Sequence, residues 1–337
     1  MSDQQTVTLS KKDFVSDQDV RWCPGCGDYA ILSQVQKVFP QFGIPKENFL
    51  VVSGIGCSSR FPYYVDTFGF HSIHGRAPAL ATGAKIANPD LSVWIVTGDG
   101  DSMSIGGNHL IHVLRRNFDL NILLFNNQVY GLTKGQYSPT SEIGRISNSS
   151  PLGSVDYPFN PPLLALGAGG TFIARSIDRE QSHLQGILKE AYMHKGTSFV
   201  EIYQNCWVFN DGAFESLTER EMKMETQLIL EHGKPMVFGK NKDKGLRLKG
   251  SKLQVVKLGK NYSIDDVLIH DEKNKIQGLL LSELSYDKKF PTPLGIIYKE
   301  EKPTYETMLH GQIEKSVQSK GKGNLDELFN DSHTWNV

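Results

Sequence analysis

Short apolar runs of strand length alternate with amphipathic segments of helical length through the first two thirds of this 337-residue chain. Runs in which nearly every residue is apolar are typical of strands that are buried on both faces. Their alternation with helices predicts an α/β fold, with a mostly parallel sheet and helices on both of its faces. The predicted strands are residues 49–55, 92–97, 120–126, 171–175 and 198–203, and the predicted helices are residues 27–40, 76–88, 103–117 and 179–194.

Polar residues, glycines and cysteines follow several of the predicted strands. Cys57 follows the first strand, Gly98-Asp99-Gly100-Asp101 the second, Asn126-Asn127 closes the third, and Cys206 follows the last. In a parallel sheet the carboxyl ends of neighbouring strands meet at one edge, where ligands of α/β proteins bind. We therefore expect these residues to form one site.

The chain contains four cysteines, of which Cys23 and Cys26 form a Cys-x-x-Cys pair and Cys57 and Cys206 stand alone. Four thiolates are the ligand set of one iron–sulfur cluster. Zinc ribbons usually pair two Cys-x-x-Cys hairpins, and unrelated cysteines pack like small apolar residues. Disulfides are not expected, because no apolar leader opens the sequence and disulfides are rare in the cytosol. The cysteines alone leave a cluster, a zinc site and no shared ligand as alternatives.

Asp99 and Asn127 offer a carboxylate and an amide oxygen, which are ligands that Mg²⁺ prefers alongside phosphate groups. The glycines on either side of Asp99 allow backbone amides to approach a phosphate, and the start of a helix favours an anion. A single Gly-Asp-Gly also occurs in ordinary turns. Its position after a strand, together with the later Asn126-Asn127, favours a magnesium site, while a helix N-cap remains the alternative for Asp101.

Four motifs in this order resemble the β subunit of the 2-oxoacid:ferredoxin oxidoreductases, and the resemblance covers residues 12–215. They are Trp22-Cys-Pro-Gly-Cys-Gly27, Gly54-Ile-Gly-Cys-Ser-Ser-Arg60, His74-Gly-Arg-Ala77, and Gly98-Asp-Gly100 with Asn126-Asn127. The last of these is similar to the thiamine diphosphate–Mg²⁺ motif. The resemblance implies a thiamine diphosphate-binding fold and one 4Fe–4S cluster with Cys23, Cys26, Cys57 and Cys206 as its ligands.

The resemblance also implies roles for individual residues. Mg²⁺ would be bound by Asp99, Asn127 and the Val129 carbonyl. Residues expected to contact the cofactor are Ile55, Gly56, Cys57, Ser58, His74, Gly98, Asp99, Gly100, Asp101, Asn127, Val129, Gly131, Leu132 and Thr133.

Three further residues are candidates for catalysis, each with a structural alternative. His74 is expected at the diphosphate or the reacting centre, or else packs locally as a loop histidine. Arg76 binds a carboxylate or caps its neighbouring structure. Lys134 follows the thiamine loop and could bind the distal carboxylate of 2-oxoglutarate, or it is a solvated surface lysine.

The implied reaction is the CoA-dependent oxidative decarboxylation of a 2-oxoacid to acyl-CoA and CO₂, or the reverse carboxylation, with ferredoxin as electron carrier. Lys134 favours 2-oxoglutarate as the substrate. No second α/β half follows residue 215, so we expect an α subunit to carry the pyrimidine-binding domain, in an αβ or α2β2 assembly. The alternatives are pyruvate or another 2-oxoacid, a non-redox thiamine diphosphate decarboxylase subunit, and a non-catalytic nucleotide-binding protein.

We predict a thiamine diphosphate and 4Fe–4S domain at residues 1–215, and a C-terminal extension with subunit contacts and a tail at 216–337. The chain has 36 basic and 37 acidic residues, which indicates no binding to nucleic acid or a membrane surface. No apolar stretch approaches the roughly 20 residues of a membrane span, so we expect a cytoplasmic protein. Residues 239–253 are basic and are expected to be a solvated hairpin or a docking patch for acidic ferredoxin. Residues 291–295 predict a turn.

Overall fold

The computed structural model describes residues 9–330, and within this range the chain forms one eight-stranded and one three-stranded sheet. The strands are β1 (Phe49–Ser53), β2 (Phe68–His71), β3 (Ser92–Gly98), β4 (Leu120–Asn126), β5 (Phe172–Ile177), β6 (Thr197–Tyr203), β7 (Gln227–Ile229), β8 (Val237–Phe238), β9 (Lys244–Lys249), β10 (Lys252–Lys257) and β11 (Thr292–Lys299).

The large sheet has the strand order β2-β1-β3-β4-β6-β5-β11-β7. Strands β2, β1, β3, β4, β6 and β5 run parallel to one another, and β11 is parallel to β7. Among the pairings of this large sheet that the structure describes, only that of β11 with β5 is antiparallel. Every residue of β1, β4, β5 and β6 is buried, as expected for central strands of a parallel sheet. The predicted mostly parallel sheet is confirmed.

Helices cover both faces of this sheet. Apolar residues of α2, α4, α5 and α9 form one core with the sheet, and those of α1 and α6 form the other. No helix within residues 9–330 combines the length and the apolar character needed to cross a membrane. The helices are α1 (Asp28–Val38), α2 (Ala77–Ala87), α3 (Asp99–Met103), α4 (Gly107–Arg116), α5 (Pro161–Gly167), α6 (Gln181–Met193), α7 (Glu215–Thr218), α8 (Lys223–Thr226), α9 (Lys275–Glu283), α10 (Tyr305–Lys320) and α11 (Leu325–Phe329).

The single helix predicted for residues 103–117 is wrong, because α3 ends before Ser104 and α4 begins at Gly107. The break lets the backbone of Gly106 pack against Gly75 in the loop before α2. A Cβ atom on Gly75 would lie 2.5 Å from the Gly106 backbone. This close contact between distant parts of the chain allows only glycine, and it brings the start of α4 next to the loop that contains His74.

The C-terminal third departs from its sequence prediction at one point. The turn predicted for residues 291–295 is wrong, because residues 292–299 form β11, which pairs with β5 in the main sheet. The basic segment 239–253 lies mostly in the antiparallel hairpin of β9 and β10. The last seven residues of the predicted C-terminal tail, 331–337, lie outside the described residues.

A buried ion pair connects two central strands and reaches toward the edge of the sheet where β4 ends. Arg175 on β5 donates from Nε to Glu201 Oε2 on β6 at 2.6 Å, and both side chains are fully buried. The second carboxylate oxygen of Glu201 accepts a hydrogen bond of 2.8 Å from Asn126 Nδ2 at the end of β4. Glu201 therefore links the middle of the sheet to the segment that carries Asn127.

Replacing Glu201 by glutamine is expected to lower the free energy of unfolding by about 3–5 kcal/mol, because it leaves the Arg175 guanidinium buried without its counter-charge. Urea unfolding followed by circular dichroism measures this loss. The matched control is Glu180→Gln, which breaks the partly exposed pair of Glu180 and Lys223 at the same 2.6 Å separation. The Glu180→Gln change should lower the free energy of unfolding by no more than about 1 kcal/mol. Equal losses in the two variants would contradict the prediction.

Candidate functional site

A cavity of about 100 Å³ lies at the carboxyl ends of β1, β3 and β4, and we name it the Asp99 cavity. The structure brings together around it all fourteen residues that the sequence predicted to contact a cofactor, and it adds Tyr130. The parallel pairing of β1 with β3 and of β3 with β4 causes this convergence, since it places the three following loops at one edge. What these residues bind stays a prediction.

A second cavity of about 210 Å³, which we name the thiol cavity, adjoins the first. All four cysteines line it, together with Trp22, Lys134, Gln204 and Trp207 among others. The two cavities share a wall formed by Cys57, Asn127, Gly131 and Leu132. A Cβ atom on Gly131 would lie 3.4 Å from Cys206 Sγ and 3.6 Å from Cys57 Sγ, so these two thiols approach the wall closely.

The cysteines are held by short turns and are largely shielded from solvent, apart from Cys23, which is exposed. Trp22 Nε1 donates to the Cys57 carbonyl at 2.7 Å, and this bond joins the Cys-x-x-Cys loop to the loop after β1. Burial raises the pKa of Cys26 and Cys206, and it raises that of Cys57 to about 12. Among residues 9–330 no three His, Cys, Asp or Glu side chains are grouped so as to hold a metal ion.

Asp99 is buried at the first position of α3, directly after β3. Its Oδ2 accepts hydrogen bonds from Ser138 Oγ at 2.5 Å and from Thr140 Oγ1 at 2.6 Å. Burial raises the pKa of Asp99 to about 6, although the two hydroxyl donors act in the opposite direction. Neither hydroxyl was predicted from the sequence, because both lie in an irregular loop without periodicity. Their only sequence signal is the hydroxyl-rich run Ser138-Pro-Thr-Ser141.

Asn127 and Val129 lie in one turn, and both line the Asp99 cavity. The Val129 N–H donates to Asn127 Oδ1 at 3.2 Å, which closes an Asx-type turn. The Asn127 carbonyl accepts a hydrogen bond of 2.8 Å from Asn210 Nδ2, four residues after Cys206. The loop after β4 is thus attached to the loop that carries the last cysteine.

Asp101 also lines the Asp99 cavity, but its carboxylate is used to hold the neighbouring loops together. Oδ1 accepts from the backbone N–H groups of Ile55 and Gly75, at 3.1 and 2.7 Å, and Oδ2 accepts from Thr97 Oγ1 at 2.7 Å. A Cβ atom on Gly54 would lie 1.9 Å from Asp101 Oδ2. The N-cap interpretation of Asp101 is wrong, because the N-cap of α3 is Gly98 and Asp101 lies inside the helix.

The three predicted catalytic residues lie in different surroundings. His74 lines the Asp99 cavity, and its Nδ1 lies 2.8 Å from Asp101 Oδ1 without the alignment of a hydrogen bond. Lys134 lines the thiol cavity and has a positive φ of 77°. Arg76 lines neither cavity and directs Nη1 toward the carbonyls of His74 and Ile105, each at 3.4 Å. Of these three predicted catalytic residues, His74 alone lines the Asp99 cavity.

Tyr130 is a residue of the site that sequence reasoning missed, although its neighbours on both sides were predicted. Its hydroxyl donates to the Gly100 carbonyl at 3.0 Å, and its ring covers Gly100 so closely that a Cβ atom there would lie 2.2 Å from Tyr130 Cε1. Gly100 is therefore required for packing against the Tyr130 ring, in addition to lining the cavity.

The Gly100→Ala variant is expected to lose about 1–3 kcal/mol of unfolding free energy, because the added methyl group overlaps the Tyr130 ring. Thermal unfolding measures this loss. In the double variant Gly100→Ala, Tyr130→Ala the loss should be smaller than the sum of the two single losses, since the ring is gone.

The matched control for that series is Gly186→Ala in α6, where a Cβ atom would meet nothing within 4 Å. This change should be neutral or stabilising by about 0.5–1 kcal/mol. Additive losses at Gly100 and Tyr130 would contradict the proposed overlap.

Comparison with known proteins places this geometry in context. Residues 54–202 match the family model described as thiamine pyrophosphate enzyme, C-terminal TPP binding domain. The chain is 49% identical over 330 residues to the 2-oxoglutarate oxidoreductase subunit KorB of Mycobacterium tuberculosis. This alignment covers 97% of this chain and 88% of the Mycobacterium protein. It is 46% identical over 190 residues to 2-oxoacid:ferredoxin oxidoreductase 1, subunit beta, of Aeropyrum pernix, over 56% of this chain and 60% of that protein.

A solved structure with a similar fold covers nearly the whole chain. It is a 2-oxoglutarate:ferredoxin oxidoreductase from Magnetococcus marinus with 2-oxoglutarate, coenzyme A and succinyl-CoA bound. The TM-score is 0.78 at 30% sequence identity, and the match covers 98% of each chain.

Proposed function

The chain belongs to the β subunits of the 2-oxoacid:ferredoxin oxidoreductases, and from this premise we propose that it serves a 2-oxoglutarate:ferredoxin oxidoreductase. The reaction is the CoA-dependent oxidative decarboxylation of 2-oxoglutarate to succinyl-CoA and CO₂, or the reverse carboxylation, with ferredoxin as electron carrier. The substrates bound in the similar solved structure and the name of the Mycobacterium relative support this choice over pyruvate.

One observation carries the proposal: the cavity lined by the predicted cofactor residues shares a wall with the cavity lined by all four thiols. A 2-oxoacid oxidoreductase needs a site where CO₂ can leave and an electron acceptor close to that site. The shared residues Cys57 and Gly131 belong to both cavities, so a group held in one would lie against a group held in the other.

The residues of the Asp99 cavity fit thiamine diphosphate with Mg²⁺. Asp99, Asn127 and the Val129 carbonyl form the hard oxygen set that Mg²⁺ prefers, and they would hold the metal. When bound, thiamine diphosphate supplies an electron sink for the loss of CO₂. Ser138 and Thr140 fix the rotation of the Asp99 carboxylate, and Asp101 holds the loops of Ile55 and Gly75 against the cavity.

The residues of the thiol cavity fit a 4Fe–4S cluster with Cys23, Cys26, Cys57 and Cys206 as ligands. Four thiols placed around a cavity of about 210 Å³ offer the donor set and the space for such a cluster, which supplies one-electron transfer. The aromatic side chains of Trp22, Trp207 and Phe209 also line this cavity, and that of Trp22 is buried. Binding of a cluster would displace the thiol protons of Cys26, Cys57 and Cys206, whose pKa is raised by burial.

The size of the Asp99 cavity supports a site that is completed by a partner subunit. Its volume of about 100 Å³ is below the roughly 300–1,000 Å³ of typical small-molecule sites. We propose that an α subunit with a pyrimidine-binding domain closes the site in an αβ or α2β2 assembly in the cytoplasm. Residues 1–215 would carry both cofactors. Residues 216–337, which also add β7 and β11 to the main sheet, would provide subunit contacts.

The test is steady-state kinetics of the chain purified anaerobically with its α subunit, using 2-oxoglutarate, pyruvate and a branched 2-oxoacid with CoA and ferredoxin. We expect the highest kcat/KM for 2-oxoglutarate and no turnover by the chain alone. Asp99→Ala should lower the affinity for thiamine diphosphate with Mg²⁺ at least about 100-fold, whereas Asp90→Ala, at an exposed loop position, should leave it unchanged. Preference for pyruvate would reject the proposed substrate, and turnover without the α subunit would reject the proposed assembly.

Lys134 provides a separate test of substrate choice, since we propose that its ammonium group binds the distal carboxylate of 2-oxoglutarate. Lys134→Met is expected to raise KM for 2-oxoglutarate about 10–100-fold, as for the loss of a hydrogen bond between charged groups. Lys134→Arg keeps the positive charge, so its KM for 2-oxoglutarate should rise less than that of Lys134→Met. Pyruvate has no distal carboxylate, and its KM should stay at the wild-type value in both variants. Equal changes for the two substrates would show that Lys134 does not bind this carboxylate.

A further inference from the structure

We propose that Gln204 is a positioning residue that joins the two centres, because its side-chain amide contacts both Asn127 and Cys26. This inference rests on the proposed function, in which Asn127 is a magnesium ligand and Cys26 a cluster ligand. Gln204 would orient the first and tune the electronic environment of the second.

The position of Gln204 follows from the strand order. It comes directly after β6, which pairs in parallel with β4, and its backbone N–H donates to the Asn126 carbonyl at 3.0 Å. The side chain is almost completely buried, with 1% of its surface exposed, and it lines the thiol cavity. Gln204 therefore lies beside Asn127 although the two residues are far apart in the sequence.

The orientation of the Gln204 amide is determined by its partners. One partner is the Asn205 carbonyl at 2.6 Å, which can only accept, so the group facing it is Nε2. Nε2 has two hydrogens, and its second acceptor is Cys26 Sγ at 3.3 Å. Oε1 then accepts from Asn127 Nδ2 at 2.9 Å. Every hydrogen of the amide has an acceptor.

The contact with Asn127 selects which end of the asparagine amide is available to a cation. Because Nδ2 of Asn127 donates to Gln204, Oδ1 is at the other end of the amide, in the turn with Val129. An oxygen is the ligand that Mg²⁺ requires, and an amide rotated by 180° would present NH₂ in its place. Gln204 thus holds Asn127 in the rotamer that can bind the metal.

The contact with Cys26 acts on the other centre. Hydrogen bonds to the sulfur atoms of an iron–sulfur cluster are among the factors that set its reduction potential. An N–H donor stabilises negative charge on sulfur, and the reduced cluster has one more negative charge than the oxidised one. The Gln204 N–H group should therefore raise the reduction potential of the cluster.

The experiment compares the wild-type αβ complex with Gln204→Met and measures two quantities for each. Redox titration followed by electron paramagnetic resonance gives the cluster potential, and titration with thiamine diphosphate and Mg²⁺ gives the cofactor affinity. Methionine keeps the approximate volume and removes all three polar contacts of the side chain, those to Asn127, Cys26 and the Asn205 carbonyl. We expect the reduction equilibrium to shift about tenfold toward the oxidised cluster, which is 59 mV for one electron, and the affinity to fall about 10–100-fold.

A matched control separates positioning from a general loss of stability. Gln277 in α9 is also buried and hydrogen-bonded on both ends of its amide, but it lines neither cavity. Gln277→Met should lower the unfolding temperature and leave both the cluster potential and the cofactor affinity at wild-type values. A shift in either quantity as large as that in Gln204→Met would overturn the proposal.

The remaining outcomes distinguish this inference from the proposed function. If the wild-type complex holds no redox-active cluster or does not bind thiamine diphosphate, the proposed function fails, and the role of Gln204 fails with it. If the wild-type complex has both and Gln204→Met changes neither or only one of the two quantities, the proposed function stands and the coupling through Gln204 is rejected.

Discussion

The parallel pairing of β1, β3, β4 and β6 is the constraint on which the rest of the site depends. These strands are buried along most of their length, and their backbone groups form hydrogen bonds with neighbouring strands of the sheet, including β2 beside β1 and β5 beside β6. Because all four run in the same direction, the loops that follow them meet at one edge. The buried pair of Arg175 and Glu201 adds a polar link from the middle of the sheet to this edge through Asn126.

Two aspartates separated by one residue have different roles because their hydrogen-bond partners differ. Asp101 accepts from two backbone N–H groups and from Thr97, and so it holds three segments together. Asp99 accepts from the Ser138 and Thr140 hydroxyls, and burial raises its pKa to about 6. The Asp101 carboxylate is therefore occupied in holding backbone segments, whereas the Asp99 carboxylate is held only by side-chain hydroxyls among the bonds described above.

The sequence was sufficient to predict the central strands and the residues around the Asp99 cavity. It was less informative about segments whose structure depends on contacts with distant parts of the chain. The strand at residues 120–126 has the predicted bounds, since continuous apolar runs directly indicate burial. The break between α3 and α4 was missed because it depends on the contact of Gly106 with Gly75. The edge strand β2 was missed because its residues are exposed on both faces and show no burial pattern.

What the sequence by itself determined is the chemistry available to this protein: four thiols, the Gly-Asp-Gly and Asn-Asn pair, and strands that end next to them. Only the tertiary structure decided that the two resulting cavities share a wall and that Gln204 reaches both Asn127 and Cys26. The physical reason is that these contacts depend on β6 lying beside β4 in the sheet. Which strands become neighbours depends on how helices and strands pack across the whole chain, and local sequence patterns do not specify it.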